Sequence, residues 1–389
     1  MILQPRFMEN IRSQFYLDPN ITFLNFGSFG ATPKPVMEQY HQYQLQMEMD
    51  PVEFLTNTGL KLMQASKEAL AAYVHCNAED LVFITNPSYG VNMIAKNLQL
   101  QPGDEILTTD IEYGACDKAW KYYCDKAGAK YVQQPVKFPI AGKDEFVDNF
   151  FKGLSAKTKM VFISHITSST GLRLPVEEIC AKAKEHGLIT FVDGAHAPGQ
   201  LPLNLATLQA DMYTGACHKW MMTPKGSSFI YVKKELQQML DPLIISWGYQ
   251  ALFPSASTFQ DYHQLNGTRD FSAFLCVPAA LKFMQENNWE DWSVKCRKLV
   301  QDNASVLCEI LGTEPLAPVN DDFTLQMFSA EIKTSQPEKL HQRLYDAFRI
   351  QVPVMRLREK NFIRYSINAF NSQQDLDRLF GVLKELEYE

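Results

Sequence analysis

Short apolar runs and longer amphipathic stretches alternate through the first two-thirds of the chain. LVFITN (81–86), EILTTD (105–110), KMVFISHI (159–166), LITFVDG (188–194), ADMYTGA (210–216) and SSFIYV (227–232) are rich in β-branched and aromatic residues and end at turn residues, so they predict buried strands. Helical patterns lie between them. In GLKLMQASKEALAAYVH, Leu60, Met63, Leu70 and Val74 share one face at a 3.6-residue period. In LPVEEICAKAKEHG a proline opens the helix, acidic residues fill the first turn and Gly187 closes it. This strand–helix–strand rhythm predicts an α/β layer with a mostly parallel sheet. The rhythm then changes. Residues 278–310 read as long helix, FTLQMFSAEI, IQVPVM and FIRYSINAF read as short strands, and a charged helix closes the chain. That pattern predicts a smaller C-terminal α+β domain.

Composition narrows the picture. The chain has 389 residues, 46% hydrophobic and 21% charged, enough for two domains around a sizeable core. The net charge of −7 and the absence of a long basic run argue against nucleic acid as the main partner. The eight cysteines are scattered, without a C-x-x-C pair, which favours reduced thiols over a disulfide framework. The N-terminal stretch MILQPRFMENIRSQFYLDPN lacks the apolar core of a signal peptide, and no stretch approaches the roughly 20 apolar residues that span a bilayer. The expectation is a cytoplasmic protein with no membrane partner.

Five places could carry chemistry. The strand LITFVDG ends in Asp193, with His196 three residues on in a loop holding Gly194 and Gly199. Ligands of open α/β sheets collect beyond the carboxyl ends of strands, and a carboxylate there needs a cation or donors; Asp193 either meets such a group or caps the following turn. Lys219 follows the next strand, between His218 and Trp220. An aromatic-lined, partly buried lysine favours its neutral amine and suits Schiff-base chemistry, whereas a surface-loop lysine has no such role. In VFITNPSYGVNMIAKNL, Ser88 opens a helix where free N–H groups would meet an anion such as phosphate, or else it only caps the helix. Tyr113, after a strand end, would stack on a planar ligand or simply pack. In FIRYSINAF, Ile363, Tyr365 and Ile367 face one way and Arg364 the other; Arg364 would fork a carboxylate or lie on an exposed face.

Together these groups supply an aldehyde-trapping amine, an acid for a pyridinium nitrogen, a phosphate cradle and a stacking ring, which are the needs of pyridoxal 5'-phosphate. No H-E-x-x-H, no G-x-G-x-x-G after the first strand and no G-x-x-x-x-G-K-[ST] occurs, so metal, dinucleotide and nucleoside triphosphate readings lack support.

VDGAHAPGQ with TGACHKWMMTPKGSSFIYV resembles the class V aminotransferase family of fold-type I pyridoxal phosphate enzymes, nearest to its isopenicillin N epimerase-like branch. FLNFGSFGATP, LTTDIEYGA, SHITSSTGLRLPVEEI, NGTRDFSAFLCVPAAL and FIRYSINAFNSQQDLDRL resemble that branch in order, from residue 20 to residue 385. The resemblance implies an N-terminal segment (1–20) near the small domain, a large cofactor domain (21–268) with a mostly parallel sheet between helices, and a small domain (269–389). It implies that Lys219 holds the cofactor and then works as acid–base. Asp193 would bond the pyridinium nitrogen, His196 the ring oxygen, His218 and Ser88 the phosphate, and Tyr113 would stack on the ring. Thr268 would reach the partner subunit's cofactor, making a homodimer with shared sites. Arg364 would hold the substrate α-carboxylate, and Asn25 and Ser168 sit in motifs that line the pocket. Two positions depart from the family: Phe26, where relatives often carry histidine, and Ala216, where a polar residue is usual.

The implied function is chemistry on an amino acid, epimerisation or transamination, with C–S or β-elimination as the alternative. A cysteine desulfurase would need a nucleophilic cysteine before the C-terminal arginine, and none lies between Cys308 and Arg364. A non-catalytic cofactor-binding module and a structural α/β protein are the remaining classes.

Overall fold

The computed structural model describes residues 11–252 and 254–386. Seven strands form the main sheet: β1 (Leu81–Ile84), β2 (Glu105–Thr109), β3 (Lys130–Gln134), β4 (Thr158–Ser164), β5 (Ile189–Gly194), β6 (Met212–Ala216) and β7 (Ser228–Val232). Their order is β1-β7-β6-β5-β4-β2-β3, and only β7 runs against the others. Six of the seven match apolar runs read from the sequence. The exception is β3, KYVQQ, whose residues are exposed or half-buried. It lies at the sheet edge, where one side of the strand needs no apolar cover, so its polar sequence carries no strand signal.

The strands are apolar at successive positions because helices cover both faces. Along β4, Met160 and Phe162 enter one core, with Trp120 and Phe191, while Val161 and Ile163 enter the other, with Phe83 and Val192. The flanking helices are α1 (Lys34–Met49), α2 (Gly59–Val74), α3 (Pro87–Asn97), α4 (Gly114–Ala127), α5 (Lys143–Phe151) and α6 (Val176–Glu185). In α2, Met63, Leu70 and Val74 are buried as their period predicts, whereas Leu60, in the first turn, is half-buried. Gly187 ends the α6 segment at φ +67, a left-handed conformation that a Cβ disfavours.

The stretch 278–310 is two helices, α7 (Val277–Glu286) and α8 (Trp289–Leu311). The break is Asn287-Asn288, and Asn288 takes φ 49, which asparagine tolerates better than most residues. Beyond α8 come β8 (Met327–Glu331), α9 (Pro337–Phe348), β9 (Val354–Leu357), β10 (Lys360–Ser366) and α10 (Gln373–Glu385). The order β9-β10-β8 makes a three-stranded antiparallel sheet with its own core, including Val300, Leu344, Ile363, Tyr365 and Leu379. The described part of the N-terminal segment packs by Phe15 against Phe283 and Phe370; residues 1–10 of that segment lie outside the described residues.

Candidate active site

The candidate residues come from loops that leave the same, carboxyl edge of the parallel strands. Ser88 follows β1, Tyr113 follows β2, Ser168 follows β4, Asp193 ends β5 and Lys219 follows β6. A parallel sheet delivers all its strand ends to one edge, so residues far apart in sequence meet there.

Asp193 is 4% exposed. Its Oδ1 accepts the Ala195 N–H at 3.0 Å, so one oxygen does cap the following turn. Oδ2 accepts only the weak Cys116 thiol donor at 3.5 Å. Burial pushes the Asp193 carboxyl above its ordinary range, opposed by the Ala195 N–H and the nearby Lys219 charge.

Lys219 and His196 form the centre. Lys219 Nζ lies 3.2 Å from His196 Nε2, and Trp220 Nε1 lies 3.3 Å from His196 Nδ1. The indole N–H can only donate, so Nδ1 of His196 is the acceptor and the neutral ring carries its proton on Nε2. Nε2–H then donates to Lys219 Nζ, which must offer a lone pair. Burial, with Lys219 and Arg364 nearby, holds His196 well below the usual histidine range, and burial pulls the Lys219 amine down to about 8. The contact fits a neutral amine, and a value of about 8 brings that nucleophilic form within reach near neutral pH.

His218 is also buried. Its Nδ1 donates to the Ser227 carbonyl at 2.8 Å, and burial lowers it to about 4. Its Nε2 makes no hydrogen bond among the described residues. At the start of α3 the cap is Asn86, whose Oδ1 accepts the Tyr89 N–H at 2.9 Å. Ser88 is therefore not the cap, and its hydroxyl makes no bond among the described residues. Tyr113 precedes α4 and is 47% exposed, with no ring partner among the described residues. Thr268 is exposed on the loop after residue 264.

The substrate side is built differently. Arg364 is 1% exposed, which removes the exposed-face alternative for β10. It bonds the Ser168 carbonyl, Asn25 Oδ1 at 3.3 Å and Ser28 Oγ at 3.2 Å, while its Nε has no partner. Ser168 thus contributes its carbonyl rather than its hydroxyl. Burial lowers the Arg364 guanidinium to about 10, which leaves it cationic at neutral pH. Phe26 lies in the core, its ring 5.0 Å from Trp220 and 5.8 Å from Phe370, and Ala216 is fully buried.

Four neighbours escaped the sequence reading. Cys116 touches Asp193, Trp220 orients His196, Ser28 bonds Arg364, and Glu112 is buried between Thr109 and Ser164. Glu112 accepts from Thr109 Oγ1 at 2.6 Å and from Ser164 N at 2.9 Å, and it bonds Ser164 Oγ. Its sequence signal was weak, an acid three residues past the end of β2 in TTDIEY, and its partner on β4 is 52 residues away.

A buried amine of lowered basicity, a carboxylate with one weakly bonded oxygen and an unbonded hydroxyl at a helix start fit a cofactor with an aldehyde, a basic nitrogen and an anionic group. The sequence profile of the Aminotransferase class-V family matches residues 27–379, and the chain belongs to that family. Its cofactor is pyridoxal 5'-phosphate. Isopenicillin N epimerase of Amycolatopsis lactamdurans is 32% identical over 97% of this chain and 98% of that protein. An L-cysteine desulfhydrase-like protein of Epichloe uncinata is 26% identical over 78% and 72%. A solved C-DES variant with glycine covalently linked to its PLP cofactor superposes with a TM-score of 0.82, at 21% identity over 97% and 99%. The residues present fit the cofactor: among the described residues Lys219 Nζ has only His196 as hydrogen-bond partner, and Asp193 Oδ2 only the weak Cys116 thiol.

Proposed function

We propose that the protein moves the Cα proton of a bound amino acid, with epimerisation or transamination as its reaction. The observation that carries this is the buried Lys219 amine, lowered to about 8 and 3.2 Å from His196 Nε2. When bound, pyridoxal phosphate withdraws electrons from the amino acid's Cα and acidifies its proton. Lys219 would anchor the cofactor and would serve as the base on one face of Cα; inversion requires the proton's return to the opposite face, and transamination its delivery elsewhere. Asp193 keeps a proton on the ring nitrogen, in a buried setting where its charge is little screened. His196 donates to the ring oxygen. Ser88 and His218 bond the phosphate, and Tyr113 covers the ring face. Arg364 forks the α-carboxylate, held in position by Asn25 and the Ser168 carbonyl.

The likeness to isopenicillin N epimerase supports epimerisation or transamination; the likeness to a desulfhydrase-like protein supports β-elimination after the same proton step. The desulfurase reading lacks a nucleophile, since seven cysteines are buried and Cys76 is half-buried. We also propose a homodimer in which Thr268 serves the partner's cofactor. Trp247 and Leu252, 80% and 78% exposed on the segment leading to Thr268, suit a covered interface. We propose a division into 1–20, 21–268 and 269–389; the two sheets with separate cores support two units, while α7 and the residues before it pack on α1 and α2 in the first core. No described helix is long and apolar enough to cross a membrane, and a cytoplasmic location is part of the proposal.

The test has two steps. Purified protein is yellow, and borohydride reduction fixes the cofactor to the native chain but not to Lys219→Ala. Incubation with an amino-acid panel in heavy water then reports Cα exchange, inversion, keto acid or released thiol. Bound cofactor without Cα exchange for any amino acid refutes the reading and leaves a non-catalytic module.

A further inference from the structure

The hairpin that carries Arg364 lies between the two cores. Its strands β9 and β10 pair antiparallel and are joined by Arg358 and Glu359. Phe362, with Leu357 beside the turn, packs in the core of the seven-stranded sheet, whereas Ile363 and Tyr365 pack in the core of the small sheet. Apolar contacts are non-directional. They hold the hairpin between the units without fixing where along the large sheet's edge its tip sits.

Arg358 supplies the directional contact. Its Nη1 donates to the Val136 carbonyl at 2.9 Å, its Nη2 pairs with Asp110 Oδ1, and its guanidinium carbon lies 5.4 Å from the centre of the Phe138 ring. All three partners belong to the unit of the seven-stranded sheet. The same Asp110 oxygen accepts the Val136 N–H at 2.9 Å, so the anchor is itself braced. Arg358 takes φ 56, a left-handed conformation that glycine or asparagine adopts more readily at a hairpin turn. An arginine there is placed for its side chain, not for the turn. The pair is partly exposed, with side chains at 35% and 22%, so it adds little to stability. Its place is more telling. Asp110 directly follows β2 and begins the loop that presents Tyr113, and Glu112 fastens that loop to Ser164. Arg358 therefore joins the strand of Arg364 to the loop of Tyr113.

We propose that Arg358 is a positioning residue: by clamping the β9–β10 hairpin onto the Asp110 loop, it sets where the Arg364 guanidinium stands relative to the cofactor site. The proposal rests on the amino-acid reading above and adds that alignment of the substrate α-carboxylate depends on a contact between the two units outside the pocket.

The test uses the full-length protein saturated with pyridoxal phosphate. The protein amino acids, in L and D forms, are titrated beside the amines that lack only their α-carboxylate, ethylamine beside alanine for example. Affinity is read from the change in the cofactor's visible absorption. An amine does not use Arg364, so it is the control for the rest of the site. Arg358→Met weakens amino-acid binding about fivefold, the size of one coupled contact network, and leaves the amines unchanged. Asp110→Asn acts in the same direction, and combining the two adds nothing to Arg358→Met, because both loosen one clamp. Unchanged amino-acid binding in Arg358→Met overturns the inference, and so does an equal loss for amino acids and amines, the mark of a merely structural contact. Additive losses in the double variant overturn it too. If no amino acid changes the spectrum of the native protein, the amino-acid reading fails first and the inference with it.

Discussion

Glu112 offers a sharp test of the electrostatics beneath the site. It is 3% exposed and has three protein donors but no cation, and burial, with Asp193 and Asp117 nearby, pushes its carboxyl up to about 8. In the unfolded chain the same group releases its proton near pH ~4.3. Between these values the folded state binds more protons than the unfolded state, so stability falls as pH rises, by about 1.4 kcal/mol per unit. Glu112→Gln resembles the protonated acid: its carbonyl accepts from Ser164 and its amide donates to Thr109 Oγ1, but it cannot ionise. The variant should therefore gain on the native protein as pH rises from 5 to 8, by about 4 kcal/mol in all. With an unfolding entropy of about 2.1 cal/mol/K per residue, that corresponds to a relative rise in Tm of about 5 °C. Thermal unfolding of both proteins, cofactor-saturated and at one concentration, measures the difference at each pH, and shared titrations cancel. A difference that stays constant from pH 5 to 8 would show that Glu112 is ionised throughout, and the burial argument would be wrong.

Three further outcomes follow from named contacts. Trp220→Phe frees Nδ1 of His196 and lets the ring switch tautomer, so the pH midpoint for cofactor attachment to the apoprotein, expected near the Lys219 value of about 8, should rise; an unmoved midpoint in reconstitution kinetics refutes the tautomer argument. Gly194→Ala would put a Cβ 2.0 Å from Tyr213 Oη, which bonds His165, and should cost about 3 kcal/mol or more through overpacking, seen as a lower Tm and poorer cofactor loading. Arg364→Lys keeps the charge but loses the fork, so KM for the amino acid should rise about tenfold with a smaller change in kcat; equal losses in kcat and kcat/KM would instead place Arg364 at the reacting atoms.

Much of this was legible in the chain. Six core strands announced themselves because a sheet covered on both faces must be apolar at every position, and Lys219, Asp193 and Ser88 each sit just past or at the end of such a run. The edge strand KYVQQ escaped because partial exposure lets its sequence stay polar. Arg364 was ambiguous because alternation in FIRYSINAF looks alike whether the second face meets water or another layer; here it meets Asn25 and the Ser168 loop. Cys116, Trp220 and Glu112 could not be assigned, since each acts through a partner that only the strand order brings near.

The two halves of the site are attached to different cores, and this bears on how it works. Lys219, Asp193 and His196 belong to strand ends of the seven-stranded sheet, with rigid neighbours on both faces. Arg364 belongs to the three-stranded sheet, whose core includes Ile363 and Tyr365 on either side of it. The guanidinium is tied to the first unit through the Ser168 carbonyl and to the N-terminal stretch through Asn25 and Ser28. A carboxylate arriving at Arg364 therefore engages groups from both units at once. Its two oxygens would compete with a carbonyl, an amide oxygen and a hydroxyl that are weaker acceptors, so substrate can enter without first leaving the arginine unpaired. The unbonded Nε adds a donor that no protein group claims. Binding energy gathered there, away from the reacting carbon, is available to fix Cα against the Lys219 amine, and a shift of either core relative to the other would misalign the two.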